Sequence, residues 1–300
     1  MQEFQRILVG IDLAARGGAL TPGSRKALEQ ALWLARQTGG SLALLHSRWS
    51  ESRGEDAEPP GPEARAALEQ VAADVRAEGV ECVLELTARR PWMELARHVD
   101  RGDADIVVVG KRDNEEAETR RLGHVATKLL RKCPHAVWAV KPQHDLSLKL
   151  VLAATDLTPV GDRAERLGAA IASAHSGALH VVHGYQVPAE LQAASSELSE
   201  EDFGKRVEAL RTSAQEHMRA ALDGAVLREE PVLHVGRGTG FSAIKEAHAH
   251  LHPDLLVLGS ISSGGTPGLL VGTTAERILG RVDCSILALK PPDFVCPLTA

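Results

Sequence analysis

Cysteine is sparse: there are four in 300 residues, Cys82, Cys133, Cys284 and Cys296, and no two are spaced C-x-x-C. That argues against a zinc knuckle and a disulfide framework, and points to a reducing, cytoplasmic setting. A basic excess is missing too. With a formal net charge of -6 and a pI near 6.1, the chain has no electrostatic footprint for nucleic acid or an anionic membrane, and neither is expected as a partner. No apolar run approaches the roughly 18 residues of a membrane span. A first strand starting by Arg6 is expected to leave no room for a signal peptide. Gly-Lys-Ser/Thr occurs nowhere, which removes the P-loop. Gly236-Arg237-Gly238-Thr239-Gly240 is followed by Phe241 where a dinucleotide fingerprint needs glycine, so it reads as a strand-to-helix turn. Arg237 still falls on a binding edge and is kept as a phosphate contact. There is no G-x-S-x-G elbow to nominate a nucleophile, and no catalytic residue is expected.

What the chain does have is a repeat. Arg6-Ile7-Leu8-Val9-Gly10-Ile11-Asp12-Leu13 returns as Lys149-Leu150-Val151-Leu152-Ala153-Ala154-Thr155-Asp156-Leu157, an apolar strand ending in Asp-Leu. After each come helices (24–38 and 162–175), strands (41–46 and 178–183), second helices (62–78 and roughly 200–222), third strands (80–86 and about 226–235) and third helices (91–100 and 241–251). Fourth strands end at Gly110 and Gly259. Each half closes with a helix and a short strand ending in Lys-Pro. Strands alternating with such helices predict two tandem α/β domains, each a doubly wound parallel sheet covered on both faces. The expected limits are 1–143 and 148–292, with 293–300 as a tail. Ligands in such sheets bind at the carboxyl ends of the strands, where the order reverses.

The segments after the fourth strands differ. Between Gly110 and Gly123-His124 stand Asp113, Glu115, Glu116 and Glu118, with Lys111, Arg112, Arg120 and Arg121; between Gly259 and Gly272-Thr273 there is no charged residue. Glycine after a strand permits tight turns that present backbone N–H groups to an anion. Thr273-Thr274-Ala275-Glu276 reads as a capping box starting a helix whose N-terminus favours a phosphate. The second segment is therefore the expected phosphate cradle, and the first a degenerate copy.

With these features the chain resembles the universal stress protein family. That family's nucleotide motif, G-x2-G-x9-G-[ST], is met at three of four positions by Gly259-x2-Ser262-x9-Gly272-Thr273, and at two by Gly110-x2-Asp113-x9-Gly123-His124. Asp156-Leu157-Thr158-Pro159-Val160-Gly161-Asp162-Arg163-Ala164 fits a second family pattern. Leu129 to Pro134, Val137 to Lys141 and Leu270 to Arg277 look most like the E-type tandem members of proteobacteria. The resemblance spans the whole chain and implies an adenine-nucleotide alpha-hydrolase-like fold and a cytoplasmic, non-catalytic stress-response regulator. It implies ATP, with Mg2+ accompanying the phosphates, in the second domain only. Asp156 would contact the nucleoside, Leu179 would offer backbone to adenine, and Gly259, Ser262, Gly272 and Thr273 would hold the phosphates.

The apolar terminal strands, 137–140 and 286–289, would invite pairing as edges, and pairing one with the other satisfies both. In single-domain members this surface makes a homodimer, which implies an intramolecular pseudo-dimer here, with dimerisation of the whole chain left open. Residues 184–199 read either as a surface loop or as a lid. In the second case Val187, Leu191, Leu198 and Phe203 would line a site for a small apolar or lipid-like ligand. An adenine-nucleotide hydrolase is the third reading. His248 and His252 share a helix face as paired zinc ligands would, but no third ligand is identifiable and a solvated helix end is expected. His46 and His183 sit at equivalent strand ends and read as structural or as donors to a ligand.

Overall fold

The computed structural model describes residues 1–14, 18–49, 60–111, 122–142, 147–260 and 273–291. The first half runs β1 (Arg6–Ile11), α1 (Pro22–Thr38), β2 (Ser41–Ser47), α2 (Pro62–Ala77), β3 (Cys82–Thr87), α3 (Pro91–Asp100), β4 (Ile106–Gly110), α4 (His124–Lys132) and β5 (Ala136–Val140). The second runs β6 (Leu150–Ala154), α5 (Pro159–Ala174), β7 (Ala178–Tyr185), α6 (Ala189–Ala193), α7 (Glu200–Ala221), β8 (Val232–Arg237), α8 (Gly240–Leu251), β9 (Leu255–Gly259), α9 (Thr273–Leu279) and β10 (Ser285–Leu289). Segment 184–199 is more ordered than its composition suggests. β7 continues to Tyr185, and α6 with a 3-10 turn over Ala194–Ser196 fills most of the remainder.

Among the described residues the strands form one sheet in the order β3-β2-β1-β4-β5-β10-β9-β6-β7-β8. Pairing is parallel except at the centre, where β5 and β10 run antiparallel with Leu287 opposite Trp138. All ten residues of these two strands are buried, so the apolar pattern that would be a hazard at an edge becomes the middle of the sheet. The antiparallel seam also sends the carboxyl ends of β1 and β4 to one rim of the sheet and those of β6 and β9 to the other.

Helices cover both faces. One apolar cluster joins residues of α1, α2, α5 and α7, among them Leu34, Leu68, Ile171 and Met218; the other joins α3, α4, α8 and α9 through Leu95, Leu129, Ile244 and Ile278. Each cluster crosses the seam, so the halves share both layers of core. Side chains add to this union. The ring of Trp33 on α1 stacks on His175 after α5, with centroids 4.1 Å apart, and meets Trp138 edge-on. Lys141 Nζ lies 3.0 Å from Asp283 Oδ2, and Arg163 pairs with Glu3.

Local sequence explains why the two halves begin alike. Thr21-Pro22 and Thr158-Pro159 start α1 and α5 in the same way: threonine caps a backbone N–H three residues on, and proline fills the first helical position. At the amino ends of the strands Asp105 and Asp254 are a second matched pair. Asp105 accepts from the N–H groups of Gln5 and Arg6, and Asp254 from those of Lys149 and Leu150.

Candidate functional site

In each half the strand order reverses beside the first strand, between β1 and β4 and between β6 and β9. Those are the positions where a doubly wound sheet opens a crevice. In the first half the crevice is a cavity of about 260 Å³. Its walls include Asp12, Ser24, Leu95, Lys111, Gly123 and His124. Gly110 lets the start of α1 close on β4, since a Cβ there would stand 2.6 Å from the carbonyl carbon of Gly23. Ser24 Oγ accepts from the N–H of Asp12 at 2.8 Å and fixes the turn that presents this aspartate.

The second half builds its counterpart from the turn Thr155-Asp156-Leu157. Leu157 adopts a left-handed φ of 60°, an uncommon backbone state for leucine, and its N–H donates to Thr155 Oγ1 at 3.0 Å. Asp156 is exposed at the rim, and its Oδ1 accepts from the N–H of Thr158 at 3.2 Å. Gly161 has to be small, because a Cβ there would lie 2.5 Å from Thr155 Oγ1. Behind each aspartate stands an equivalent histidine: His46 Nδ1 lies 3.1 Å from Ile11 O, and His183 Nδ1 3.0 Å from Thr155 O. Both imidazoles are thus committed to the backbone that leads into the turn.

The structure brings some of the sequence-selected residues together and separates others. Asp156, Gly259, Arg237 and Thr273 share one rim of the sheet. Arg237 is exposed at the end of β8, beside Tyr185. Gly240 and Thr274 approach each other, which sets the starts of α8 and α9 side by side. Ser262 and Gly272 lie outside the described residues, as do the first-half acids 113–118 and the side chain of Thr273. Leu179 is displaced from this group. It is the second residue of β7, pairs with Val151 and is 3% exposed, whereas Asp156 lies beyond Ala154, which pairs with Val182. At about 3.3 Å per residue the two ends are at least 10 Å apart. The residues of β7 at the Asp156 rim are His183, Gly184 and Tyr185.

Two further sequence features acquire long-range partners. The glutamate of the Thr273 capping box also serves the other half: both oxygens of Glu276 face the guanidinium of Arg131, with Nε 3.0 Å from Oε2. This fork-to-fork ion pair ties α9 to α4 across the halves. His248 accepts from the N–H of Asp283 at 3.1 Å, and His252 ends α8 in a left-handed conformation. No group of three or more metal-type ligands exists among the described residues. No helix there is long and apolar enough to cross a membrane.

One site residue has no local signature. Lys111, which follows Gly110 and lines the first-half cavity, is 4% exposed, and its Nζ donates to Val282 O at 2.7 Å and Cys284 O at 2.9 Å. Burial pushes its ammonium below the ordinary lysine value. Burial also pushes the neighbouring Cys284 thiol up to about 12, which makes it inert as a nucleophile. The corresponding residue after β9 is Ser260, whose hydroxyl turns inward to Leu289 O at 3.0 Å. The first half thus reaches across the seam where the second binds itself.

The sequence pattern of the Universal stress protein family matches residues 3–141 and again 148–290. The chain belongs to the universal stress protein family. As a tandem member it is similar to Universal stress protein E of Photorhabdus laumondii, 22% identical over all of this chain and 99% of that protein. It is also similar to Universal stress protein E of Escherichia coli K12, 25% identical over 70% of this chain and 68% of the relative. A putative universal stress protein from Pseudomonas aeruginosa shares the fold, with a TM-score of 0.72 at 22% identity over 97% of this chain and 95% of that one. One from Archaeoglobus fulgidus does so with 0.62 at 19% identity, over 95% and 98%.

Proposed function

We propose that this universal stress protein is a cytoplasmic, non-catalytic stress-response regulator that binds ATP through its second half. The observation behind this reading is the rim at the β6/β9 crevice. An exposed aspartate on a rigid turn stands beside the glycine that opens an uncharged segment, Gly259 to Gly272. The donor set suits a nucleotide. Asp156 would accept from ribose hydroxyls, Arg237 would face phosphate, and Gly259, Ser262, Gly272 and Thr273 would supply backbone and hydroxyl donors. Mg2+, when present with the nucleotide, would screen the phosphate charge. In this reading the second half positions ATP without cleaving it, since a phosphate cradle alone does not activate a nucleophile. The two halves act as an intramolecular pseudo-dimer across β5 and β10.

A second reading is favoured by the first-half cavity, whose aliphatic walls at Ile11, Leu45, Leu95 and Val109 suit a small, mainly apolar ligand. Calorimetry with ATP and Mg2+ on the parent chain, Gly272→Ala, Asp156→Ala and Asp12→Ala separates the two. Binding that Gly272→Ala and Asp156→Ala weaken at least tenfold and Asp12→Ala leaves unchanged is expected. No heat from the parent chain sinks the nucleotide reading, and loss confined to Asp12→Ala moves the site to the first half.

A further inference from the structure

The second half contains a buried acid beside a half-buried ion pair, and its proposed ligand uses neither. Glu165 on α5 is 0% exposed, and among the described residues neither carboxylate oxygen has a hydrogen bond of normal geometry, although the Thr155 hydroxyl stands close enough to favour the charged form. One turn earlier on the same helix, Asp162 Oδ1 lies 2.8 Å from Nε2 of His217 on α7. That contact matters because α7 is thinly attached: of its 22 residues only Ala214 and Met218 are buried. We propose that Glu165, Asp162 and His217 form a proton-linked latch that keeps α7 docked on the second half while Glu165 is protonated and loosens it when Glu165 ionises.

An isolated carboxylate in an apolar site is strongly disfavoured, so the docked state selects the neutral acid. Burial pushes the Glu165 carboxyl up to about 7; the Thr155 hydroxyl pulls the other way, Asp162 adds to the rise, and His217 and Arg166 oppose it. The charged and hydrogen-bonding groups that act on it come from the end of β6, from α5 and from α7. β6 contributes Thr155, α5 contributes Asp162 and Arg166, and α7 contributes His217. His183 of β7 is held at Thr155 O, and Leu255 and Val257 of β9 belong to the apolar cluster that also holds Ala164 and Leu167 of α5. On ionisation the proton passes to solvent. The resulting anion faces Asp162, so water has to reach it, and the route proposed is the lifting of α7, of which only Ala214 and Met218 are buried.

The first half shows what this position looks like without the latch. Counting seven residues from the capping threonines Thr21 and Thr158, the residue matching Glu165 is Leu28. Leu28 lies in the groove between α1 and α2 with Val71 and Val75. An apolar contact in one half is thus an acid in the other.

The sign follows from the raised value. Docking of α7 is fully supported below about pH 4.5, the ordinary glutamate value, and weakens as pH rises through about 7. Hydrogen exchange of the whole chain, corrected for intrinsic rates, tests this with α2 as internal reference. Opening of α7 is expected to increase on the order of a hundredfold from pH 5 to pH 8 in the parent chain, and to stay level in Glu165→Gln. Glu165→Leu, which copies the first half, serves if the amide variant does not fold. Equal pH dependence of α7 in parent and variant, or a parallel change in α2, overturns the latch. The result does not depend on any nucleotide being bound.

Discussion

The two halves share a strand order, two capping threonines, two strand-end aspartates and two backbone-bound histidines, yet they differ in the residues that follow β4 and β9 and in what α1 and α5 bury. The first keeps a cavity and a lysine that crosses the seam; the second keeps an uncharged glycine segment and hides an acid under a loosely attached helix. Groups that shape the backbone are duplicated faithfully because each turn fails without them. Groups that contact ligand or neighbour have been free to diverge.

Paired substitutions sharpen that contrast. The largest effect is expected at the positions after β4 and β9. Lys111→Met orphans the carbonyls of Val282 and Cys284 and should cost about 2–4 kcal/mol. Ser260→Ala leaves its own N–H on Leu289 O and should cost about 0.5–1 kcal/mol. Urea midpoints decide between them; equal losses would mean that Lys111 is no cross-seam tie. The glycines come next. Alanine at Gly110 would strike the Gly23 backbone, whereas alanine at Gly259 would meet Val160 Cγ1 at 3.0 Å, a side chain able to shift. Expected losses are about 2–3 and about 1 kcal/mol, respectively. A reversed order in thermal melts would overturn the packing account.

The smallest effect concerns acid. Burial alone would raise the Asp105 carboxyl, but hydrogen bonds from the Arg6 guanidinium and from the N–H groups of Arg6 and Gln5 outweigh it and hold the group below the ordinary carboxylate value. Its stabilisation is therefore present above about pH 4 and lost as pH falls through the depressed value. The advantage of the parent over Asp105→Asn should shrink between about pH 4 and pH 2. A constant difference across that range would assign the role of Asp105 to shape instead of charge.

The sequence made the repeat, the element order and the rim aspartate visible, because periodicity and turn residues are local signals. Helix 91–100 matches α3 residue for residue. The third strand of the second half was expected at about 226–235 and instead spans Val232–Arg237. Val226 and Leu227 carry β-like character, but the run is broken by Arg228, Glu229 and Glu230, and the ladder with β7 starts only at Val232. The resemblance takes Leu179 as the start of its strand, which it is, but sequence alone does not show how far β7 runs on, to Tyr185, or that the Asp156 rim lies at that far end. β7 passes the start of α8 only through Gly184, where a Cβ would stand 2.6 Å from Thr239 O. The contacts of Lys111 and Glu276 were not legible for another reason: their partners are more than a hundred residues away, and no local pattern encodes such a contact.

A seam made from two strands of the same polypeptide also changes what mutation can do. In a symmetric dimer each substitution appears on both rims at once, so neither can alter without the other. Here Leu28 and Glu165, or Lys111 and Ser260, change one at a time while β5 and β10 keep the partners in fixed proportion at any dilution. Covalent linkage lets the two rims of one sheet hold two different instructions.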